Sequence, residues 1–307
     1  MLADKSENTV PADDVKAGEI PIVDGLEGMA GRYDGFIVDL WGTVHDGLTP
    51  LPGAVACLEQ LRAGGKPVLI LSNAPRRAGP IVERMRSVGI PDEAYDKVFS
   101  SGEATYQALR DRADAFHAAL DRKCFLLGPP DDDSTIAGLD YQLVESIRAA
   151  HFILAVGSFQ RTDTVADYEA MLGAAFDRRL PMVCANPDLE VLRGGAREIC
   201  AGAIAQQYAR SGGAVHFHGK PHRPIYEASL ALLGLDDSAS ILAIGDSFGT
   251  DIAGANAAGI DSLMITSGIH AQSLGVEPFE LPEPAKLAAL AAKYDALPTA
   301  ATAAFRW

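Results

Sequence analysis

The sequence predicts an α/β fold, a Rossmann-like doubly wound parallel sheet with a smaller α/β domain inserted into it. Short apolar runs rich in Val, Ile and Leu alternate with segments of helical periodicity, which is typical of parallel sheets covered on both faces. Polar residues stand directly after several of these runs, where an open α/β sheet places its ligands. The length of 307 residues and a second alternating stretch in the middle of the chain indicate two domains or one domain that carries an insert.

The first part of the chain repeats a strand–helix pattern. Proline and glycine mark the helix boundaries, since proline fits the first helical turn and glycine ends helices. The predicted strands are 36–40, 67–71 and 98–101, and the predicted helices are 53–63, 78–88 and 103–119. Residues 1–30 are rich in Asp, Glu, Gly and Pro, so we expect them to be partly disordered, with 20–29 docked on the body.

A second alternating stretch covers residues 120–190, and the core pattern returns after it. In this stretch the predicted strands are 124–127, 152–156 and 182–184, and the predicted helices are 141–149 and 164–178. Residues 191–195 are predicted to form a turn or loop, and 196–211 a helix. The later predicted elements are the strands 240–246 and 262–265 and the helices 224–233, 251–258 and 284–294.

The composition narrows the classes of function. The 307 residues are 48% hydrophobic with a formal net charge of −15, which suits a soluble globular protein and argues against nucleic acid as a partner. No apolar run is long enough to cross a membrane and no signal peptide is evident, so a cytoplasmic location is expected. The four cysteines have no CxxC pair, which favours buried thiols over a zinc site. His216 and His218 alternate on a predicted strand and are interpreted as packing or surface residues.

Side chains of complementary chemistry stand at four points of the predicted sheet edge. Asp39 ends the first strand, Ser72 and Asn73 end the second, Lys220 precedes a proline, and Asp246 ends a later strand. Taken singly, such residues are usually helix caps, turns or solvated loop side chains. Gathered at one edge, two carboxylates, a lysine and a hydroxyl suit Mg²⁺ beside a phosphoryl group. The set therefore predicts phosphoryl-transfer chemistry, with a carboxylate as the candidate nucleophile.

These segments resemble the four motifs of the haloacid dehalogenase superfamily of phosphatases and phosphotransferases. The matching segments are 39–44, 71–73, 219–221 and 245–251, and the resemblance covers about residues 33–270. The insert falls between the second and third motifs, and Asn-Pro-Asp at 186–188 resembles the class IIA branch, which is NagD-like or p-nitrophenyl-phosphatase-like. The resemblance implies an N-terminal extension at 1–30 and a core domain made of 31–110 and 205–275. It also implies a C2-type cap domain at 111–204 and a tail with one helix at 276–307.

The resemblance also implies a role for each matching residue. Asp39 is implied as nucleophile and Mg²⁺ ligand, with the Trp41 backbone carbonyl and Asp246 as further ligands, and Ser72 and Lys220 are implied to hold phosphoryl oxygens. Asp251 is implied to orient a metal-bound water or Lys220. Thr43 and Asn73 are implied to line the phosphoryl pocket, and Asn186 and Asp188 to contact the substrate from the cap. The expected partner is a small phosphorylated metabolite, and a homodimer is an expectation at family level only.

Trp41 departs from the family pattern. In hydrolytic members the residue two positions after the nucleophile is an aspartate, which protonates the leaving group and then activates water. An indole N–H donates a hydrogen bond but does not titrate, and losing general acid–base help typically costs about 10²–10⁴ in rate. The ring is expected either to fill space beneath the cap or to stack on substrate.

Four interpretations are compatible with this departure. The first is a phosphatase whose acid–base group lies elsewhere, with Asp46, His45 and Asp188 as candidates. The second is a phosphatase for aryl or acyl phosphates, whose leaving groups need little protonation. The third is a protein that binds a phosphorylated ligand and turns over weakly. The fourth is phosphonatase-like chemistry, which needs a cap lysine for a Schiff base, and Lys123 is the only lysine between about 111 and 204.

Overall fold

A six-stranded sheet and a five-stranded sheet organise the chain in the computed structural model, which describes residues 19–129, 132–193, 196–235 and 240–307. The strands are Gly35–Asp39 (β1), Val68–Ser72 (β2), Lys97–Ser100 (β3), Lys123–Leu127 (β4), Gln142–Leu143 (β5), Phe152–Ala155 (β6), Met182–Cys184 (β7), Glu190–Arg193 (β8), Ala196–Ile199 (β9), Val215–Phe217 (β10), Ile241–Gly245 (β11), Asp261–Ile265 (β12) and Ala300–Thr302 (β13). The helices are Glu27–Ala30 (α1), Ala54–Ala63 (α2), Ala78–Ser87 (α3), Ser101–Asp111 (α4), Ala115–Ala119 (α5), Glu169–Asp177 (α6), Ala201–Arg210 (α7), Arg223–Leu233 (α8), Ala253–Ala258 (α9), Ala271–Leu274 (α10) and Pro284–Tyr294 (α11).

The larger sheet forms the core domain. Its strands are parallel in the order β13-β12-β11-β1-β2-β3, so the carboxyl ends of β1, β2 and β11 meet at one edge. These three strands are buried along their whole length, because α2 and α3 pack on one face and α8 and α9 on the other. The predicted doubly wound α/β core is confirmed.

The smaller sheet belongs to the cap, which is inserted after α4. Its strands are also parallel, in the order β10-β7-β6-β4-β5, and side chains of α6 and α7 pack against it. Strands β8 and β9 form an antiparallel hairpin. No helix in the described ranges is long and apolar enough to cross a membrane.

The cap ends later in the chain than predicted. Helix α7 buries Ala201, Ile204 and Tyr208 in the cap, and β10 pairs with β7 of the cap sheet. The outgoing boundary therefore lies near residue 217, and the prediction of a cap at 111–204 followed by core at 205–275 is wrong at this end. Helical periodicity shows which residues of α7 face a sheet, but it does not show which of two sheets they face.

The C-terminal residues belong to the core and are not a tail. Helix α11 buries Leu287 against Phe248, and β13 pairs in parallel with β12 to complete the sheet edge. The N-terminal segment docks beside it, where Ile22 pairs with Ala301 and Leu26 is fully buried. Most of the predicted disordered extension, residues 1–18, lies outside the described residues.

Four local predictions are wrong. The predicted helix 103–119 is broken between α4 and α5 by Arg112, whose φ is 49°. The predicted helix 141–149 contains the short strand β5 followed by turns. The described part of the predicted loop, 191–193, belongs to strand β8, and the start of the predicted helix 196–211 is strand β9.

We predict that the C-terminal segment carries core stability. Phe305 is 2% exposed and packs into the same cluster as α2. Because Phe305→Ala leaves a cavity, we expect it to lower the free energy of unfolding by about 3–5 kcal/mol in urea denaturation. The matched control Phe279→Ala, at a ring that is 44% exposed, should change it by about 0.5 kcal/mol or less. Equal, small losses in the two variants would contradict this placement.

Candidate active site

Lys220 lies at the centre of the site, between two carboxylates. Its Nζ donates to Oδ1 of Asp39 at 2.5 Å and to Oδ1 of Asp251 at 2.7 Å. The ammonium group is buried, being 3% exposed. Burial lowers the pKa of Lys220, but the negative charges of Asp251 and Asp39 outweigh that effect and raise it well above its ordinary value. The lysine is therefore protonated and gives the site a fixed positive charge.

Asn73 holds the backbone of Lys220, although the two residues are far apart in the sequence. Its Oδ1 accepts from the Lys220 amide at 2.8 Å, and its Nδ2 donates to the Lys220 carbonyl at 2.9 Å. The same Nδ2 donates to Oδ1 of Asp188, on the cap, at 2.7 Å. Ser72, beside Asn73, lines the cavity, and its Oγ accepts from the amide of Ala74 at 3.1 Å. The carboxyl end of β2 therefore connects the core, the Lys220 turn and the cap.

Three buried carboxylates form an oxygen-rich cluster beside the lysine. One oxygen each from Asp39, Asp246 and Asp251 lies within 4.8 Å of the other two. Burial raises the pKa of Asp246 well above its ordinary value, and the charges of Asp39 and Asp251 raise it further. Burial also raises the pKa of Asp39, which the charge of Lys220 opposes. A single lysine does not balance three carboxylates, and an all-oxygen anionic donor set fits a hard divalent cation such as Mg²⁺.

Glycines give the Asp246 carboxylate its place. Gly42 has a φ of +83°, and a Cβ at this position would lie 2.2 Å from Oδ2 of Asp246. A Cβ on Gly268 would lie 2.0 Å from the same oxygen, which accepts from the amide of Ile269 at 2.7 Å. Residue 42, in the turn that follows Asp39, must therefore be glycine, because any larger residue would displace a carboxylate of the cluster.

A cavity of about 690 Å³ opens above these groups, between the core and the cap. Its lining brings together most of the predicted site residues: Asp39, Trp41, Ser72, Asn73, Asn186, Asp188, Lys220, Asp246 and Asp251. The cavity size suits a small metabolite. The predicted role of the Trp41 carbonyl as a metal ligand stays a prediction.

Asp46 and Thr43, two of the predicted site residues, do not line the cavity, and neither does the lysine that the phosphonatase-like interpretation needs. Asp46 is exposed and its Oδ1 accepts from the amides of Thr49 and Leu48 at 2.8 Å each, which lowers its pKa, so its prediction as the replacement acid is wrong. Thr43 is fully buried and does not line the cavity, and its predicted place in the phosphoryl pocket stays a prediction. Lys123 is exposed on β4 and does not line the cavity, which removes the phosphonatase-like interpretation.

Trp41 joins the core to the hairpin of the cap. Its Nε1 donates to the carbonyl oxygen of Leu192 at 3.0 Å, and the guanidinium of Arg193 lies 5.0 Å from the centre of the ring. His45 packs edge-on at 5.3 Å, and Gly47, with φ of +93°, leaves room for the indole, since a Cβ there would lie 2.2 Å from the ring. The indole thus fills the space beneath the cap, and its one polar atom binds the cap backbone.

Asp188 is the carboxyl group that the cap contributes to the cavity. Its backbone amide donates to Oδ1 of Asn186 at 3.1 Å, which fixes the Asn-Pro-Asp turn. Burial raises the pKa of Asp188, although Asn73 and Lys220 oppose the shift, and the charge of Asp188 in turn raises the pKa of Asp39. A carboxyl group with a raised pKa close to Asp39 has the properties of a general acid.

Sequence reasoning did not select several contributors to this site. The Leu192 carbonyl binds Trp41, the Ile269 amide binds Asp246, and Arg84 donates to the carbonyl oxygen of Gly47. The hairpin had a signal in the sequence, because two glycines between β-type runs are typical of a two-residue turn. The other two contacts have no local signal.

Comparison with known proteins agrees with this architecture. Residues 36–142 match a family model described as haloacid dehalogenase-like hydrolase, and residues 217–292 match a second one described as HAD-hydrolase-like. A haloacid dehalogenase-like hydrolase from Brucella suis 1330 is 34% identical, with a TM-score of 0.79, covering 92% of this chain and 100% of that chain. The 5'-nucleotidase YutF of Bacillus subtilis is 25% identical over 81% of this chain and 93% of its own length.

A third similarity shows the fold alone. The structure of a glycerol phosphate phosphatase from Mycobacterium tuberculosis in complex with magnesium has a TM-score of 0.61 at 23% identity, and it covers 84% of this chain and 78% of that chain.

We predict that the indole N–H of Trp41 holds the β8–β9 hairpin. Trp41→Phe leaves the Leu192 carbonyl without this donor, so hairpin amides should exchange with deuterated solvent faster than in the unchanged protein. The chain has only one other tryptophan, Trp307, which lies outside the cavity, so Trp307→Phe is a matched control and should leave the hairpin unaffected. Unchanged exchange in Trp41→Phe would show that the contact contributes nothing to hairpin order.

Proposed function

The chain belongs to the haloacid dehalogenase-like hydrolases, in the NagD-like class IIA branch, and we propose that it is a Mg²⁺-dependent phosphatase that forms an aspartyl-phosphate on Asp39. The observation that carries the proposal is the buried cluster in which Lys220 contacts Asp39 and Asp251 beside Asp246. The names of relatives, a 5'-nucleotidase and a glycerol phosphate phosphatase, support hydrolysis of a phosphate monoester.

The charges of the cluster support Mg²⁺ as the cofactor. Asp39 and Asp246 would hold the ion, while Asp251 is tied to Lys220. When bound, the ion supplies positive charge that offsets the crowded carboxylates and the phosphoryl oxygens. The raised pKa of Asp246 supports this assignment. Among the described residues, Lys220 is the one cation that opposes this shift.

The chain's own residues can carry out the first half of the reaction. A carboxylate oxygen of Asp39 attacks phosphorus, and the bond between phosphorus and the leaving oxygen breaks. Lys220 stays protonated and stabilises the negative charge of the phosphoryl oxygens, with the hydroxyl of Ser72 as a donor on the same side of the cavity. The Asn73 hydrogen bonds keep Lys220 in place throughout, because they fix its backbone at both the amide and the carbonyl.

We assign the acid–base role that Trp41 cannot perform to Asp188. Protonated Asp188 gives its proton to the leaving oxygen, and the resulting carboxylate then removes a proton from the water that attacks the aspartyl-phosphate. Release of inorganic phosphate restores Asp39 and the protonated Asp188. The position of Asp188 in the cavity and its raised pKa support this role, whereas Asp46 is turned away into its own loop.

The substrate that fits best is a small phosphate monoester, sugar-phosphate-like or an activated aryl or acyl phosphate. The cavity volume of about 690 Å³ leaves room for a phosphoryl group with a small organic part. Arg76 at the rim is paired with Asp132, and Arg193 is paired with Glu198. Arg84 also lines the cavity but donates to the carbonyl oxygen of Gly47 and has no acidic partner among the described residues, so it leaves positive charge for an anionic substrate.

We predict that hydrolysis requires Asp39 and a divalent cation. With p-nitrophenyl phosphate and Mg²⁺, Asp39→Asn should lower kcat by about 10³-fold or more, because it removes the nucleophile and a metal ligand together. Chelation of Mg²⁺ should have a comparable effect that added Mg²⁺ reverses. Asp46→Asn is the matched control, since this carboxylate is exposed and outside the cavity, and it should retain full activity. Absence of any Asp39-dependent turnover, on aryl or acyl phosphates, would favour the alternative of a weakly active phospholigand-binding protein.

We predict that Asp188→Asn acts selectively on poor leaving groups. Alkyl phosphates need a proton on the departing oxygen, so their kcat should fall by about 10²–10⁴-fold, while p-nitrophenyl phosphate, with its good leaving group, should lose far less. Glu190→Gln, at another cap carboxylate of the cavity, is the control and should show no such difference between substrates. An equal loss on both substrates in Asp188→Asn would mean that Asp188 only supports Asn73.

A further inference from the structure

A second cluster of potential metal ligands lies outside the phosphatase site and shares no residue with it. His117, His216 and His218 each offer a ring nitrogen within 4.8 Å of the other two. We propose that these three histidines, hereafter the histidine cluster, bind one transition-metal ion of the zinc type at the junction between core and cap. This site would share no ligand with the carboxylate cluster at Asp39, and it replaces the sequence-based interpretation of His216 and His218 as packing or surface residues.

The hydrogen bonding of His117 prepares one nitrogen for a metal. Its Nδ1 is 2.5 Å from a carboxylate oxygen of Asp114, and its backbone amide donates to the other oxygen of Asp114 at 3.0 Å. The carboxylate accepts the proton on Nδ1, so the lone pair is left on Nε2. A carboxylate behind the ring is the arrangement that orients histidine ligands and increases their basicity in metal sites.

The spacing of the nitrogens suits a small ion. Nε2 of His117 lies 3.1 Å from Nε2 of His218, and Zn–N bonds of about 2.0–2.1 Å in a tetrahedron separate two ligand nitrogens by about 3.3 Å. The ring of His216 lies 4.6 Å from that of His117 and 4.8 Å from that of His218, centre to centre. His117 is fully buried and the other two rings are partly exposed, which leaves room for a solvent ligand. Three imidazoles select zinc, copper or nickel and not Mg²⁺.

The position of the cluster gives binding a mechanical consequence. His117 is on α5, at the incoming connection to the cap. His216 is the middle residue of β10 in the cap sheet, and His218 follows that strand directly, on the outgoing connection. His218 precedes Lys220 by two residues. An ion held by all three rings would cross-link the two chain crossings between the domains and restrict movement of the cap.

Direct metal binding to the full chain tests the proposal without reference to activity. Chelator-treated protein is titrated with Co²⁺ in excess Mg²⁺, and we expect one Co²⁺ per chain with the intense visible absorption of a four-coordinate nitrogen site. The fourth ligand of this Co²⁺ would be solvent, beside the three histidine nitrogens. Zn²⁺ should displace this Co²⁺, and the midpoint of thermal unfolding should rise with Zn²⁺ concentration. No saturable binding under these conditions would overturn the proposal.

Variants locate the ion. His216→Gln and His218→Gln should each weaken Zn²⁺ binding at least tenfold, and Asp114→Asn should weaken it by about 10–100-fold through His117. His222→Gln is the matched control, because its ring stacks on Phe217 outside the cluster, and it should keep the affinity unchanged. If Asp246→Asn abolishes the Co²⁺ signal and the histidine variants retain it, the ion occupies the carboxylate site and the proposal is wrong. Loss of phosphatase activity alone has no bearing on this outcome.

Discussion

The charge balance around Lys220 is the constraint on which the rest of the site depends. A buried ammonium group costs several kcal/mol unless it is paired, and here Asp39 and Asp251 pair with it on two sides. Asp246 adds a third buried carboxyl group, and the crowding of the three acids raises the pKa of Asp246 well above its ordinary value. The strand order brings these groups together, because β1, β2 and β11 are neighbours with parallel carboxyl ends. Asn73 completes the arrangement by fixing both backbone groups of Lys220.

In the proposed mechanism the acid–base group lies on the cap, because Trp41 occupies its usual position in the core. The family pattern places acid and nucleophile on the same loop of the core, so their distance does not depend on the cap. In this chain the indole occupies that position and donates to Leu192 of the cap, and the carboxyl group with the raised pKa, Asp188, is on the cap as well. Under the role proposed for Asp188, opening of the cap would separate the acid from Asp39. Turnover would then require a closed cap, which matches the general role of lids in completing a catalytic site.

The core and most of the site could be predicted because their signals are local. The buried runs of β1, β2 and β11 and the polar residues that follow them are contiguous in the sequence, and parallel topology brings the strand ends together. The same locality explains the failures. Asp46 is near Asp39 in sequence, yet amides of its own turn hold it toward solvent. The cap boundary and the Trp41–Leu192 contact depend on which surfaces meet, and no short segment of sequence encodes that.

The histidine cluster lies between the two chain connections that join the core to the cap. The outgoing connection is held to the core, because a Cβ on Gly219 would lie 2.5 Å from Oδ1 of Asn73, which also binds the Lys220 amide. The incoming connection leaves α4 at Arg112, whose left-handed backbone breaks the helix before α5. The side chain of Arg112 donates to the carbonyl oxygens of Ala118 and Leu120, so hydrogen bonds hold this break in the helix. An ion that ties His117 to His218 would join the incoming connection to the outgoing one while leaving the Lys220 cluster intact, and so would act on cap position and not on the charges at Asp39.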